Sequence, residues 1–255
     1  LGCSGFYYDH WRGKFYPVGL AKKEWLNFYA QQFNTVEINN TFYRFPTKEL
    51  LQSWYNKTPE NFQFTVKANR QITHTRKFHD TQTATNRFYE LTKVLKEKLA
   101  CVLFQLPPQL HKNLELLETI ADQMDVGVVN VLEFRDESWW SPDVYRLMRE
   151  KGLVFCSVSA EDLPGDLVKT ADVVYVRFHG RGGWYGGDYS EKELQGWAEK
   201  IRAANPSAVY GYFNNDAQAY APKNCQTLKA LLEENQTTEK QHTNGPVFNQ
   251  TDLPL

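Results

Sequence analysis

DVVYVRFHGRGGWYGGDYS, residues 172–190, reads as a strand that runs into a glycine-rich loop and then into a helix. Val173, Val174 and Val176 are β-branched and Tyr175 is aromatic, residue types that suit a pleated, buried environment. Alternation along a strand puts Tyr175, Arg177 and His179 on one face and Val174, Val176 and Phe178 on the other. A valine-rich strand ending in Arg and His is unusual for a plain core. Both polar groups stand at its C-terminal end, where α/β proteins carry their chemistry. Gly180, Gly182, Gly183, Gly186 and Gly187 follow, interleaved with Arg181, Trp184 and Tyr185. Taken alone, this loop reads equally well as a flexible crossover or as a ligand loop.

The same design recurs on either side. Strand patterns fall near residues 1–5, 35–39, 62–68, 101–106, 130–135 and 153–158 before this stretch, and near 209–213 after it. Helical patterns lie between them, near 21–33, 47–56, 83–99, 113–123 and 141–152, and the last covers 217–234. Thr47 is placed to cap one helix, Ser141 with Pro142 another, and Ser190 with Glu193 forms a capping box. Eight strands alternating with helices in 255 residues make a (β/α)8 TIM barrel of the α/β class. The expected domain is single, 1–235, with 236–255 an irregular tail or a strap packed by Val247, Phe248 and Leu253. An open doubly wound sheet is the alternative, but the first βα loop has no GxGxxG fingerprint.

Composition narrows the function classes. The net charge of −1 argues against non-specific nucleic-acid binding over the whole surface, though not against a local basic site. Cys3, Cys101, Cys156 and Cys225 form no CxxC pair and read as buried thiols in a reducing, cytoplasmic compartment. No run is long and apolar enough for a membrane span, and no signal peptide is visible. Aromatic residues are abundant at 15%, mostly in loops and loop-flanking helices; core packing is the main expected use and a stacking surface the second. Oligomeric state is not legible.

The polar strand endings converge on one mouth of such a barrel: Glu37 and Asn39, Lys67, Gln105, Glu133 and Arg135, Arg177 and His179, Asn214 and Asp216. Burying that many ionisable groups is costly unless they pair or bind something. Glu133, His179, Lys67 and Glu37 are the catalytic candidates. Arg135, Arg177, Asn39, Gln105, Asn214, Asp216, His74, Trp184 and Tyr185 are the substrate-binding candidates. A mutually satisfied structural network of Glu37, Glu133, Lys67, Arg135 and Arg177 is the competing reading. Arg44, Arg70, Arg76, Lys77 and Arg181 make the mouth cationic, and the glycine loop offers backbone N–H groups, so a small anionic ligand or nucleic acid is the expected partner. Lys67 is suited to a Schiff base if desolvated, since neighbouring arginines lower its pKa. Glu37 and Glu133 would serve as an acid/base pair on a sugar if suitably separated. No HxxxH or HxH pair marks a metal site, so no metal ligands are assigned and no cofactor is expected, with a divalent ion left open.

Seven segments together carry a resemblance: GCSGFYYDHWRGKFYP, FNTVEINNTFYRFP, FQFTVKANRQITH, FQLPP, LEFRDESWW, VYVRFHGRGGWYGGDYS and YFNNDAQAYAPKNCQTL. The sequence resembles the YecE-like family, domain of unknown function seventy-two, from Gly2 to Leu228. The resemblance implies a TIM barrel and places Glu37, Asn39, Lys67, His74, Gln105, Glu133, Arg135, Arg177, His179, Asn214, Asn215 and Asp216 at family motif positions. Cys3 and Phe6 stand where the family often shows Thr and Trp. It supplies no reaction. The reading carried forward is an enzyme, a hydrolase among the options, acting on a phosphorylated or nucleotide-like substrate. A non-catalytic binding module and a carbohydrate-active hydrolase are the alternatives.

Overall fold

The computed structural model describes residues 1–242 apart from Trp184, with side chains to Glu234. Its strands are β1 (Gly2–Ser4), β2 (Thr35–Ile38), β3 (Gln63–Lys67), β4 (Leu99–Gln105), β5 (Val129–Glu133), β6 (Val154–Ser159), β7 (Val173–Phe178) and β8 (Ala208–Phe213). Each pairs in parallel with the next, and β8 pairs with β1, so the sheet closes into a barrel. The helices are α1 (Trp25–Gln32), α2 (Asn40–Tyr43), α3 (Lys48–Asn56), α4 (Gln82–Thr92), α5 (Leu114–Asp122), α6 (Pro142–Glu150), α7 (Glu191–Ala204) and α8 (Tyr220–His242). This is the (β/α)8 barrel that the alternation predicts, except that 160–172 join β6 to β7 without a helix.

Strand parity decides which core each residue joins. Val102, Phe104, Leu132, Val176, Phe178 and Phe213 pack with helix residues such as Trp25, Leu51, Leu117 and Leu194, so they face outward. Their neighbours Cys101, Leu103, Val131, Cys156, Tyr175 and Tyr212 form a separate cluster inside the barrel. The Tyr212 hydroxyl bridges the interior, bonding Thr35 Oγ1 at 2.7 Å and Thr65 Oγ1 at 2.8 Å. This packed floor forces the charged strand ends above it to meet at the C-terminal mouth. All four cysteines are buried and unpaired as disulfides.

Most of the aromatic excess is core. Trp25 stacks on Tyr16 with centroids 4.7 Å apart, and Trp139 stacks on Phe134 at 4.3 Å. Trp140 packs edge-on against Phe155. Among the described residues, no helix is long and apolar enough to cross a membrane.

Three helix ends differ from expectation. The helix expected over 83–99 ends at Thr92 and gives way to tight turns broken at Lys96, which has φ 48°. Lys98 is then turned inward, donating at 2.8 Å each to the carbonyls of Tyr55, in the last turn of α3, and Thr58, just past it. Ser141 opens α6 but its hydroxyl donates to Asp143 Oδ1, and that carboxylate accepts the Val144 N–H instead. Finally, α8 runs on to His242, past the point where periodicity fades. The proposed strap residues Val247, Phe248 and Leu253, like Trp184, lie outside the described residues.

Thr47 caps α3, and the capping box on α7 forms in both directions: Ser190 Oγ accepts from Glu193 N–H and Glu193 Oε2 accepts from Ser190 N–H. Ser190→Ala is expected to cost about 1 kcal/mol, read as a lowered midpoint in urea unfolding.

Candidate functional site

The mouth is built on Arg177, which ends β7 pointing inward and is almost wholly buried. Its Nη2 and Nε donate to Glu37 at 2.7 and 3.0 Å, and its Nη1 donates to Glu133 Oε2 at 2.7 Å. One guanidinium therefore sits between the two carboxylates and bonds both. Glu37 also accepts from the Tyr175 hydroxyl at 2.5 Å and from the Ser4 hydroxyl, while Asn39 Nδ2 donates to Ser4 Oγ at 2.6 Å. Every lone-pair direction of Glu37 is occupied.

Glu133 has a second set of partners. Its Oε1 accepts from Arg135 Nε at 2.7 Å and contacts His179 Nε2 at 3.2 Å. Burial pushes this carboxyl up, but Arg135, Arg177 and His179 outweigh it and hold the group well below the usual carboxylate range. Glu133 is thus a permanent anion rather than a proton donor near neutrality. His179 Nδ1 lies 3.3 Å from the Asn214 amide nitrogen, and its Nε2 stands between Glu133 Oε1 at 3.2 Å and Arg135 Nη2 at 3.4 Å. Burial, then the Arg135 charge, lower its pKa to about 3, which keeps the ring neutral.

Charge is balanced in this cluster: two carboxylates, Glu37 and Glu133, against two guanidiniums, Arg135 and Arg177. Lys67 is the unmatched group. It ends β3 at 8% exposure. Its Nζ donates to Gln105 Oε1 at 2.5 Å and lies 4.3 Å from the Phe42 ring centroid. Among the described residues, no carboxylate pairs with it. Burial, then the Arg177 charge, lower its pKa to about 7. The competing reading of a fully satisfied network therefore fits four of its five members and leaves Lys67 out.

The remaining candidates divide. His74 sits on a single π-helical turn, Gln71–Thr75, edge-on to Phe42, with burial and then Lys67 lowering its pKa to about 4. Tyr185 is 45% exposed and stands edge-on over His179, with centroids 5.5 Å apart. Asp216 turns away to the β1 loop, where its carbonyl accepts from His10 and Trp11. Arg181 pairs with Glu193 at 2.7 Å, and the glycine-loop N–H of Gly182 donates to Glu161 at 2.6 Å, so both of these anion-gripping groups already hold a carboxylate. The loop's shape does require glycine: a Cβ on Gly180 would fall 1.6 Å from the Gly186 carbonyl oxygen. Among the described residues, no group of three His, Cys, Asp or Glu side chains is placed to hold a metal ion.

Ser4, Tyr175 and Phe42 are site residues that the strand-end reading did not select. Ser4 reads as a tight-turn residue in GCSGF, yet it joins Glu37, Asn39 and Arg177. Strand parity does place Tyr175 beside Arg177. Phe42 has no signal, because a short helix after β2 delivers it.

The family model described as "Protein of unknown function DUF72" matches residues 1–246. The chain belongs to the DUF72 family. It is similar to UPF0759 protein YunF of Bacillus subtilis, 28% identical, over 91% of this chain and 94% of the relative. Among solved structures, a DUF72 protein of Thermotoga maritima superposes with TM-score 0.83 at 29% identity, covering 91% of this chain and 98% of that one. A DUF72 protein of Enterococcus faecalis, at 22% identity and TM-score 0.77, shares the fold, covering 91% of this chain and 94% of its own. The family's description assigns no activity.

Proposed function

We propose that this DUF72 protein is an enzyme that acts on a small phosphorylated or nucleotide-like substrate at the barrel mouth, with Lys67 as the group that exchanges a proton with it. The single observation that carries this reading is Lys67: an amine without a carboxylate partner, next to a charge-balanced cluster, held near neutrality by burial and Arg177. An acid/base group works best when its pKa lies near the working pH. Glu37 is saturated, Glu133 is held ionised and both ring nitrogens of His179 are engaged, so their expected acid/base roles become positioning roles. Glu37 and Glu133 fix Arg177, and Glu133 orients Arg135.

Arg135 and Lys67 then supply the positive charge an anionic group meets. Their effect is strong because the surroundings are poor in water. An anion that binds beside Lys67 raises its affinity for a proton, so binding near pH 7 takes up a proton. The sugar-hydrolase alternative finds less support, since Arg177 fills the space between Glu37 and Glu133.

A panel of phosphate monoesters, diesters and nucleotides tests the reading, each assayed with and without divalent metal. The expected result is turnover of at least one member, with Lys67→Met lowering kcat by about 100-fold while the fold persists. Turnover unaffected by Lys67→Met, or no member bound or turned over, would contradict it.

A further inference from the structure

We propose a second binding site beside the barrel rim, separate from Lys67, that takes a small anion with a flat apolar body. A cavity of about 770 Å³ lies between the loop after β1, α1 and α3. Small-molecule pockets span roughly 300–1,000 Å³, so it holds one such ligand. Leu26 and Trp54 form a buried apolar floor, while Tyr7 and Leu50 leave apolar surface open at 58% and 38% exposure. Open aromatic and leucine surface of this kind costs free energy in water and is recovered when a ligand covers it.

Charge decides the class of ligand. Lys22, Lys23 and Lys57 line the cavity, and among the described residues no Asp or Glu does. Lys22 is paired with Asp9 at 2.6 Å and leans over the Tyr7 ring. Lys23 and Lys57 carry no ion pair among the described residues, so the rim has positive charge without a counter-charge. A neutral hydrocarbon would leave both amines unmatched, and a cation would be repelled. At the inner end stands Asn39, whose Nδ2 donates to Ser4. An aromatic sulfonate, carboxylate or phosphate therefore fits both the apolar floor and the cationic rim of the cavity. Neither Lys67 nor Arg135 lines it; Asn39 is shared, standing between the cavity and Ser4 at the mouth.

Anilinonaphthalene sulfonate has this chemistry and fluoresces when bound, and phenylnaphthylamine is its uncharged counterpart. The expected result with the full chain is saturable binding of one sulfonate probe per chain. Lys23→Glu combined with Lys57→Glu should weaken it about tenfold or more, and Leu50→Glu should weaken both probes. The charge reversals should leave the uncharged probe, the circular dichroism spectrum and the melting temperature unchanged, and Lys67→Met should leave sulfonate binding unchanged. Sulfonate binding that does not saturate, that survives both charge reversals, or that is lost with Lys67→Met would overturn the proposal.

Discussion

Arg177→Leu is expected to destabilise the protein by about 3–5 kcal/mol, the largest loss of any single replacement at the mouth. The arginine is almost wholly buried and neutralises two carboxylates that have no access to water. Leucine fills part of the volume but leaves Glu37 with only the neutral hydroxyls of Tyr175 and Ser4 and the Asn39 amide, and leaves Glu133 with Arg135 and His179. An unpaired buried carboxylate costs far more than its ion pair contributed. The loss should also depend on pH. Without Arg177 the Glu133 carboxyl loses one of the two arginine charges that hold it down, so it takes up a proton more readily than in the wild-type protein. The deficit is then smaller at low pH and grows as pH rises. Urea unfolding at about pH 5 and about pH 8 is expected to show the smaller deficit at the acidic value. A deficit under about 1 kcal/mol, equal at both pH values, would mean that the pair is not buried as described.

Lys67→Met has the opposite sign and is expected to stabilise the fold. The folded amine titrates at about 7 against an ordinary 10.5, mainly because burial penalises its charge. In the unfolded chain the same lysine holds its proton up to about pH 10. Between those values the unfolded state binds more protons, so wild-type stability rises with pH across that window. Below it the folded protein carries the whole penalty. A shift of this size is worth at most roughly 5 kcal/mol. Loss of the Gln105 hydrogen bond and of the contact with Phe42 trims the net gain to on the order of 2 kcal/mol. The variant's advantage is therefore largest below pH 7 and disappears toward pH 10. Melting curves across that range check it, and a variant less stable than wild type at pH 6 would contradict it. A functional group whose removal stabilises the protein is the expected trade between activity and stability.

Much of this site was legible from strand parity alone. Tyr175, Arg177 and His179 share a face because they are two residues apart, and Glu133 and Arg135 follow the same rule. What parity does not carry is who pairs with whom. Arg177 reaches Glu37 across 140 positions of chain, and that meeting depends on closure of the barrel. Asp216 has the position of a mouth residue, but the strand has already ended and the chain turns toward His10 and Trp11. Ser4 is hidden because GCSGF also reads as a turn. Phe42 lies in a short helix after β2 and His74 on a π turn after β3, and both arise from local backbone geometry that hydrophobic periodicity does not show. The early end of α4 goes with Lys98 reaching carbonyls at the C-terminal end of α3, a tertiary demand that overrides a good helical pattern.

The most direct measurement is modification of the protein with pyridoxal phosphate, a phosphorylated aldehyde, at about pH 7.5. A neutral amine condenses with the aldehyde to an imine and releases water; borohydride then fixes the adduct for peptide mapping. Lys67 is expected to be labelled ahead of the exposed lysines, to react faster with pyridoxal phosphate than with pyridoxal, and to be protected by inorganic phosphate. Labelling of Lys67 no faster than that of exposed lysines, indifferent to the phosphate group, would contradict an anion-binding mouth centred on a near-neutral amine.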